Sequence, residues 1–259
     1  MNGSLALVMV LALLSGGATG SVILLYRARA WRRAEARCGV RTPGLAPAAA
    51  TVGALAGAAT AALAAHYASL PDPVRPVEWV GRASYALILW AAAGHLLALA
   101  RVGMLVRQEV RGWREGLPAA AATLGARRRQ TLEELRRRWP AYGELKSRDD
   151  ALVEDLVEFL GGPLQKIRRD LGRLPLYGYL GTVCGILLMA EDLSGIDAAT
   201  ETFKVLGSMA RGLVLAFNTT LVGLLAYLPL RKASDLLVER VGWLEDEWRG
   251  LRDRQEFER

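Results

Sequence analysis

The stretch Leu180–Ile186, LGTVCGI, decides the fold. It sits in the middle of Leu174–Ala190, a run without a charged residue. A run of roughly 17–25 such residues, at 1.5 Å rise each, spans a hydrocarbon core of about 30 Å as a helix. Two glycines and a hydroxyl, Gly181, Gly185 and Thr182, occupy its centre. Glycines inside a span let another helix approach closely. A threonine there can bond the carbonyl of its own preceding turn. Taken alone, the stretch is therefore a packing motif. Whether it is more depends on the rest of the chain.

The chain has 259 residues, 52% of them hydrophobic, yet it carries 33 Lys+Arg and 26 Asp+Glu. The charges are gathered into blocks, with long uncharged runs between them. Five such runs stand out: Met1–Tyr26, Thr42–Pro71, Ala83–Ala100, Leu174–Ala190 and Gly212–Leu230. That segregation marks a multi-pass membrane protein. The net charge of +7 lies beside the spans, where the excess of Lys and Arg on cytoplasmic loops accounts for it, so no nucleic-acid partner is expected. Cys38 and Cys184 form no disulfide framework, and no metal-ligand spacing exists, so no cofactor is expected. His66 and His95 lie in or at the ends of spans, where a proton relay competes with interfacial packing.

The blocks order the topology. Arg27–Arg41 holds six arginines and one glutamate and reads as cytoplasmic. The first run lacks a basic start and is followed by that cluster, so it reads as a retained signal anchor. Ala68–Arg82 is balanced in charge, and Pro71, Pro73 and Pro76 break any helix there, so it reads as an external loop. Arg101–Arg173 is rich in arginine and reads as cytoplasmic. Glu191–Lys204, with four acids and one lysine, reads as external, and the tail from Arg231 as cytoplasmic. Five spans with the N-terminus outside satisfy every block, and no strand pattern appears. The expected fold is all-α, with residues 1–41 an N-terminal span and basic segment and 42–105 a transmembrane hairpin. Residues 106–173 would be a cytoplasmic helical region, 174–230 a two-span core, and 231–259 a cytoplasmic C-terminal helix.

Apolar residues recur at spacings of 4, 3, 4 and 3 in Leu160, Leu164, Ile167, Leu171 and Leu174. The tail repeats them in Leu237, Val241, Leu244, Trp248 and Leu251. Such stripes want a partner helix, and ordinary intramolecular packing is the first expectation. The simplest picture extends the last two spans as a long helical hairpin. The arginine-rich segment Ala119–Trp139 reads as a solvated helix face, with anionic headgroups or acidic neighbours as the alternative.

The last span reads GLVLAFNTTLVGLLAYLPL, Gly212–Leu230. Asn218, Thr219 and Thr220 sit at mid-depth, followed by Gly223 and Pro229. Polar side chains in hydrocarbon are unfavourable unless they face protein or water. Two successive spans joined by a short acidic loop thus both carry hydroxyls near the bilayer centre. A polar pathway at a helix interface becomes the leading reading.

These two spans resemble the core of the MotA/TolQ/ExbB proton-channel family over about Leu174–Arg231. The family's penultimate-span motif, Leu-Gly-Thr-Val-x-Gly-(Ile/Leu), is matched by Leu180–Ile186. In the last span Gly212, Ala216, Phe217, Thr220, Gly223 and Pro229 fill the places of the family's second motif. The resemblance implies a homopentameric ring around two copies of a single-span MotB/ExbD/TolR-like partner, whose membrane aspartate takes up and releases the proton. It implies that Thr182 and Thr220 line the ion path, with Thr219 and Asn218 as neighbours. Gly181, Gly185, Gly212, Ala216, Gly223 and Pro229 would then pack the channel core. Leu215 stands where the ExbB/TolQ branch often has a glutamate. Arg211 stands at the external mouth, where it could pair with Glu191 or Asp192.

Physical chemistry agrees with that division of labour. No span here has a carboxylate at its centre. A hydroxyl can relay or solvate a proton but cannot store one near neutral pH, so an acid from a partner is required. The expected function is a ring subunit of a proton-driven motor in the bacterial inner membrane, with sodium as the alternative ion. Its N-terminus would be periplasmic and its C-terminus cytoplasmic. The competing reading is a membrane scaffold whose Gly/Thr motifs only pack helices. No nucleophile with a base and no phosphate-binding glycine loop is present, so no enzyme is expected.

Overall fold

The computed structural model describes residues 2–69, 75–115, 123–139, 141–194 and 202–257. Among them there are seven α-helices and no strand. The helices are α1 (Asn2–Arg37), α2 (Leu45–Ala68), α3 (Pro76–Glu115), α4 (Leu124–Arg138), α5 (Tyr142–Leu171), α6 (Arg173–Ser194) and α7 (Thr202–Phe257). Five helical stretches are long and apolar enough to cross a membrane: Val8–Arg37, Leu45–Ala68, Pro76–Arg114, Gly143–Ser194 and Met209–Leu251. They contain the five uncharged runs apart from their ends. The chain is an all-α, multi-pass membrane protein.

Two compact units are assembled from separated segments. One comprises 1–25, 48–96 and 170–231; the other comprises 26–47, 97–169 and 232–259.

In the first unit, small residues set the helix contacts. Gly16 and Gly20 of α1 meet Gly53 and Gly57 of α2 backbone to backbone. A Cβ added at Gly20 would lie 3.0 Å from the Gly57 Cα, and one at Gly57 would lie 3.1 Å from the Gly20 Cα. This is the close approach that a Gly-xxx-Gly spacing permits. Ser21 adds a hydrogen bond from its hydroxyl to the Ala50 carbonyl at 2.9 Å. Large apolar side chains, among them Leu14, Val22, Leu55 and Tyr179, are exposed, as lipid-facing positions require.

Pro76 does not break a helix; it opens one. At the first helical position its missing N–H is no loss and its fixed φ suits the turn. The segment between α2 and α3 is therefore shorter than the proline pattern suggests, and Glu78 and Arg82 pair one turn apart on α3. Pro71, Pro73 and the middle of the acidic external loop, 195–201, lie outside the described residues.

In the second unit, buried charge does much of the fixing. Glu35 accepts from the Thr42 hydroxyl at 2.6 Å, the Thr42 amide at 3.1 Å and Arg101 Nε at 2.6 Å. Glu109 accepts from the amides of Leu124 and Gly125 at 2.7 and 2.9 Å, holding the first turn of α4. Thr123 caps the same turn by accepting from the Ala126 amide. The described part of the arginine-rich segment is not simply a solvated face. Arg128 is fully buried and meets the equally buried Asp149 at 2.9 Å. Each neutralises a charge that would otherwise be held in a low dielectric, the condition under which buried ions persist. Arg127 donates to the Cys38 carbonyl, and Arg129 lies over the Trp113 ring.

Both heptad stripes are packed within the chain. Leu160, Leu164, Ile167, Leu171 and Leu174 are buried, as are Val241, Leu244 and Trp248. Val241 reaches Gly161, and Leu237 reaches Gly103. The α7 arm is one continuous helix through Pro229. The other arm is interrupted at Gly172, with Pro175 in the first turn of α6.

Candidate ion path between α6 and α7

Leu174, Gly178, Gly181, Gly185 and Leu188 fall on one face of α6, at spacings of three and four residues. Gly212, Ala216, Thr219 and Gly223 do the same on α7 and are buried. The two faces meet with the helices antiparallel. A Cβ at Gly212 would lie 2.7 Å from the Gly185 carbonyl oxygen. One at Gly185 would lie 2.8 Å from the Ala216 Cβ, one at Gly178 2.9 Å from the Thr219 carbonyl oxygen, and one at Gly223 3.2 Å from the Leu174 carbonyl oxygen. Only glycine lets the backbones come this close.

That proximity brings Thr182 and Thr220 together across the interface, with their hydroxyl oxygens 2.5 Å apart. Thr182 Oγ1 also lies 3.0 Å from the Ala216 carbonyl and 3.3 Å from the Gly178 carbonyl. Thr220 Oγ1 lies 3.5 Å from the same Gly178 carbonyl. Each hydroxyl has one proton and two acceptor lone pairs. The pair can therefore be ordered in two senses. Thr220 can donate to Thr182, which donates to the Ala216 carbonyl. Alternatively Thr182 donates to Thr220, which donates toward Gly178. Reversal of such a two-hydroxyl chain is the elementary event by which hydroxyls pass a proton along. Both threonines are half-buried, so the pair borders the unit's surface.

The other polar residues of the last span do not join this pair. Thr219 is fully buried, presses its side chain onto Gly181, and donates to the Leu215 or Ala216 carbonyl of its own helix. These are packing contacts within the α6–α7 interface. Asn218 is exposed, on the side carrying Phe217, Leu221 and Leu225. Two residues on an α-helix turn through about 200°, so Asn218 and Thr220 face opposite ways. That separation was readable from the helical period alone. Pro229 also lies on the exposed side rather than in the interface. Leu215, in the place of the absent glutamate, packs against Gly81 of α3. A Cβ at Gly81 would lie 2.9 Å from Leu215 Cδ2 and 3.1 Å from the Cys184 Cβ. His66 stands near the exposed end of α2 beside Tyr67, apart from the threonine pair.

At the far end of α6, Glu191 and Asp192 have a partner that the sequence did not suggest. Arg75, the residue before α3, reaches Asp192 at 2.8 Å and Glu191 at 3.3 Å. The hydrogen bond to Asp192 raises the guanidinium above its ordinary pKa despite some desolvation, so this charge is permanent. Arg211 is exposed on α7. The available hint is that Ala68–Arg82 carries arginines and Glu191–Lys204 carries acids, two segments that the charge pattern assigns to the same side of the membrane.

Residues 171–249 match the sequence profile of the MotA/TolQ/ExbB proton channel family. The similarity to that family is confined to this segment. The match covers all of α6 and α7 through Arg249, including both glycine faces and the threonine pair. Helices α1 to α4 and nearly all of α5 fall outside it. No curated protein and no solved structure matches the chain. The family matched over residues 171–249 is one of proton channels, which is not a class of enzymes.

Proposed function

We propose that the chain is the ring-forming subunit of a proton-driven motor complex in the bacterial inner membrane. Five copies would surround two copies of a single-span MotB/ExbD/TolR-like partner. The observation that carries this reading is the Thr182–Thr220 pair: two reorientable hydroxyls, mid-depth on adjoining spans, inside the segment matched to the channel family. No carboxylate lies at mid-depth in any span. The titrating acid would come from the partner's membrane aspartate, and the two hydroxyls would solvate or relay the proton beside it. The charge blocks favour a periplasmic N-terminus and a cytoplasmic C-terminus. The exposed Asn218, stranded on an apolar helix face, favours a covered rather than a lipid-facing surface there. Proton is the default ion, and sodium the alternative.

A scaffold without ion conduction is the second reading. It draws on one specific observation: the carbonyls of Gly178 and Ala216 already satisfy both hydroxyls inside the chain. One experiment separates the two. The chain is co-expressed with a single-span protein of the MotB/ExbD/TolR type that carries a membrane aspartate, purified, and reconstituted into vesicles containing a pH-sensitive dye. Proton entry under an imposed gradient that is lost in Thr182→Ala, with the complex intact by size, supports the motor. An intact complex with no flux in the wild type, under proton or sodium gradients, leaves the scaffold.

A further inference from the structure

A cleft of about 470 Å³ lies between α3 and α7 in the second unit, outside the family-matched pair of membrane faces. Its floor is apolar: Val106, Val110 and Leu237, with Gly103 leaving room beside Leu237. Its rim is four arginines. Arg107, Arg111 and Arg114 recur at spacings of four and three along one face of α3, and Arg240 approaches from α7. All four are exposed, and among the described residues no carboxylate lines the cleft. Four guanidiniums over a greasy floor are complementary to an amphiphilic anion. A guanidinium binds phosphate oxygens through paired N–H donors.

The position of the cleft on α3 selects among anions. The uncharged run of α3 ends at Ala100. Gly103 follows by three residues and Arg107 by seven, about 4.5 and 10 Å at 1.5 Å per residue. Helical side chains lean toward the N-terminus of their helix. The α3 arginines therefore lean back toward the end of the apolar run, at the depth of lipid headgroups. We infer that this cleft holds the phosphate headgroup of an anionic phospholipid, with the glycerol and first acyl carbons on the Val106–Val110–Leu237 floor. Basic pockets beside spans on the cytoplasmic side recognise such headgroups. The inference does not depend on ion conduction, and its failure would leave the threonine pair untouched.

The test uses the full chain, purified in a mild detergent and delipidated. Phosphatidylglycerol and phosphatidylcholine of identical acyl chains are titrated in as mixed micelles. Bound lipid is counted by native mass spectrometry, and thermal stability is followed in parallel. Phosphatidylglycerol should bind more tightly and raise the melting temperature more. Arg107→Gln and Arg240→Gln should each weaken it roughly fivefold, and Arg107→Gln/Arg111→Gln/Arg240→Gln by about a hundredfold. Arg136→Gln/Arg137→Gln/Arg249→Gln, equal in charge removed, should keep the preference. Equal binding of the two lipids by the wild type overturns the inference without recourse to any variant. So does a preference that survives the cleft triple. Inorganic phosphate or glycerol phosphate giving the full thermal shift without lipid would make this a soluble-anion site and overturn the lipid assignment. Saturation by a poly-glutamate peptide, with no lipid preference, would reassign the cleft to an acidic protein segment.

Discussion

Two helix pairs in the first unit are built on the same device and carry different chemistry. In α1–α2, Gly16 and Gly20 oppose Gly53 and Gly57. In α6–α7, Gly178, Gly181 and Gly185 oppose Gly212, Ala216 and Gly223. Both pairs bring backbones into contact, and both contain hydroxyls. In α1–α2, Ser15, Thr19, Thr51 and Thr60 donate to carbonyls three or four residues back on their own helices. Ser21 crosses to α2, and it ends on a carbonyl. In α6–α7, two hydroxyls meet each other. The first pair shows two spans of this chain meeting through glycines, with the Ser21 hydroxyl crossing to a carbonyl and not to another hydroxyl. Helix packing therefore does not require the Thr182–Thr220 contact, which is the difference that makes it a candidate site.

The comparison breaks most visibly at the glycines. Gly57→Leu and Gly185→Leu should each force the backbones apart and destabilise the chain by about 3 kcal/mol or more, since overpacking typically costs 1–3 kcal/mol even where a side chain can yield. Unfolding in SDS with a refolding control measures this. If Gly57→Leu is harmless while Gly185→Leu is not, the two pairs are not built alike.

A smaller substitution separates the two kinds of contact. At Gly181 a new Cβ would meet the Thr219 side chain, so Gly181→Ala should lose about 1–3 kcal/mol. At Gly17 the nearest atom to a new Cβ is 3.4 Å away, an ordinary contact. Gly17→Ala should therefore be neutral or gain up to about 1 kcal/mol from helix propensity. The same unfolding assay reads both.

At the external end, Arg75→Ala removes two partly exposed ion pairs. The loss should be about 1 kcal/mol at low salt and vanish at about 1 M salt, because exposed pairs are weak and screened. A loss independent of salt would show that Arg75 holds more than those charges.

The difference between the pairs was only partly visible in the sequence. Uncharged runs located all five spans because the bilayer imposes a length on any helix that crosses it. The LGTVCGI stretch and the threonines of the last span pointed to α6–α7 as the special pair. The Gly-xxx-Gly pairs at Gly16–Gly20 and Gly53–Gly57 are equally legible, and Ser15, Thr19, Ser21 and Thr51 beside them show that hydroxyls next to glycines do not by themselves mark a channel. Asn218 was grouped with Thr220 by adjacency, although the helical period places them on opposite faces. Arg75 with Asp192, and Arg128 with Asp149, could not be read from the sequence, because such pairings depend on tertiary packing that leaves no local pattern. A charged run looks solvated until the fold supplies a counter-ion.

The finest test compares hydroxyls. Thr182→Val keeps the shape of the side chain and removes its hydroxyl; Ser21→Ala removes a hydroxyl that crosses from α1 to α2. A hydrogen bond between membrane helices contributes on average about 0.6 kcal/mol, so the two variants should be nearly indistinguishable in stability. Their transport should differ completely. With the partner subunit present, Thr182→Val should reduce proton entry into vesicles to background, while Ser21→Ala should conduct like the wild type. Thr182→Ser should restore flux, since a serine hydroxyl can still donate to the Ala216 carbonyl while accepting from Thr220. If Thr182→Val and Ser21→Ala instead conduct equally, then α6–α7 does with two threonines only what α1–α2 does with glycines. The contact between Thr182 and Thr220 would then be a packing contact at a membrane interface.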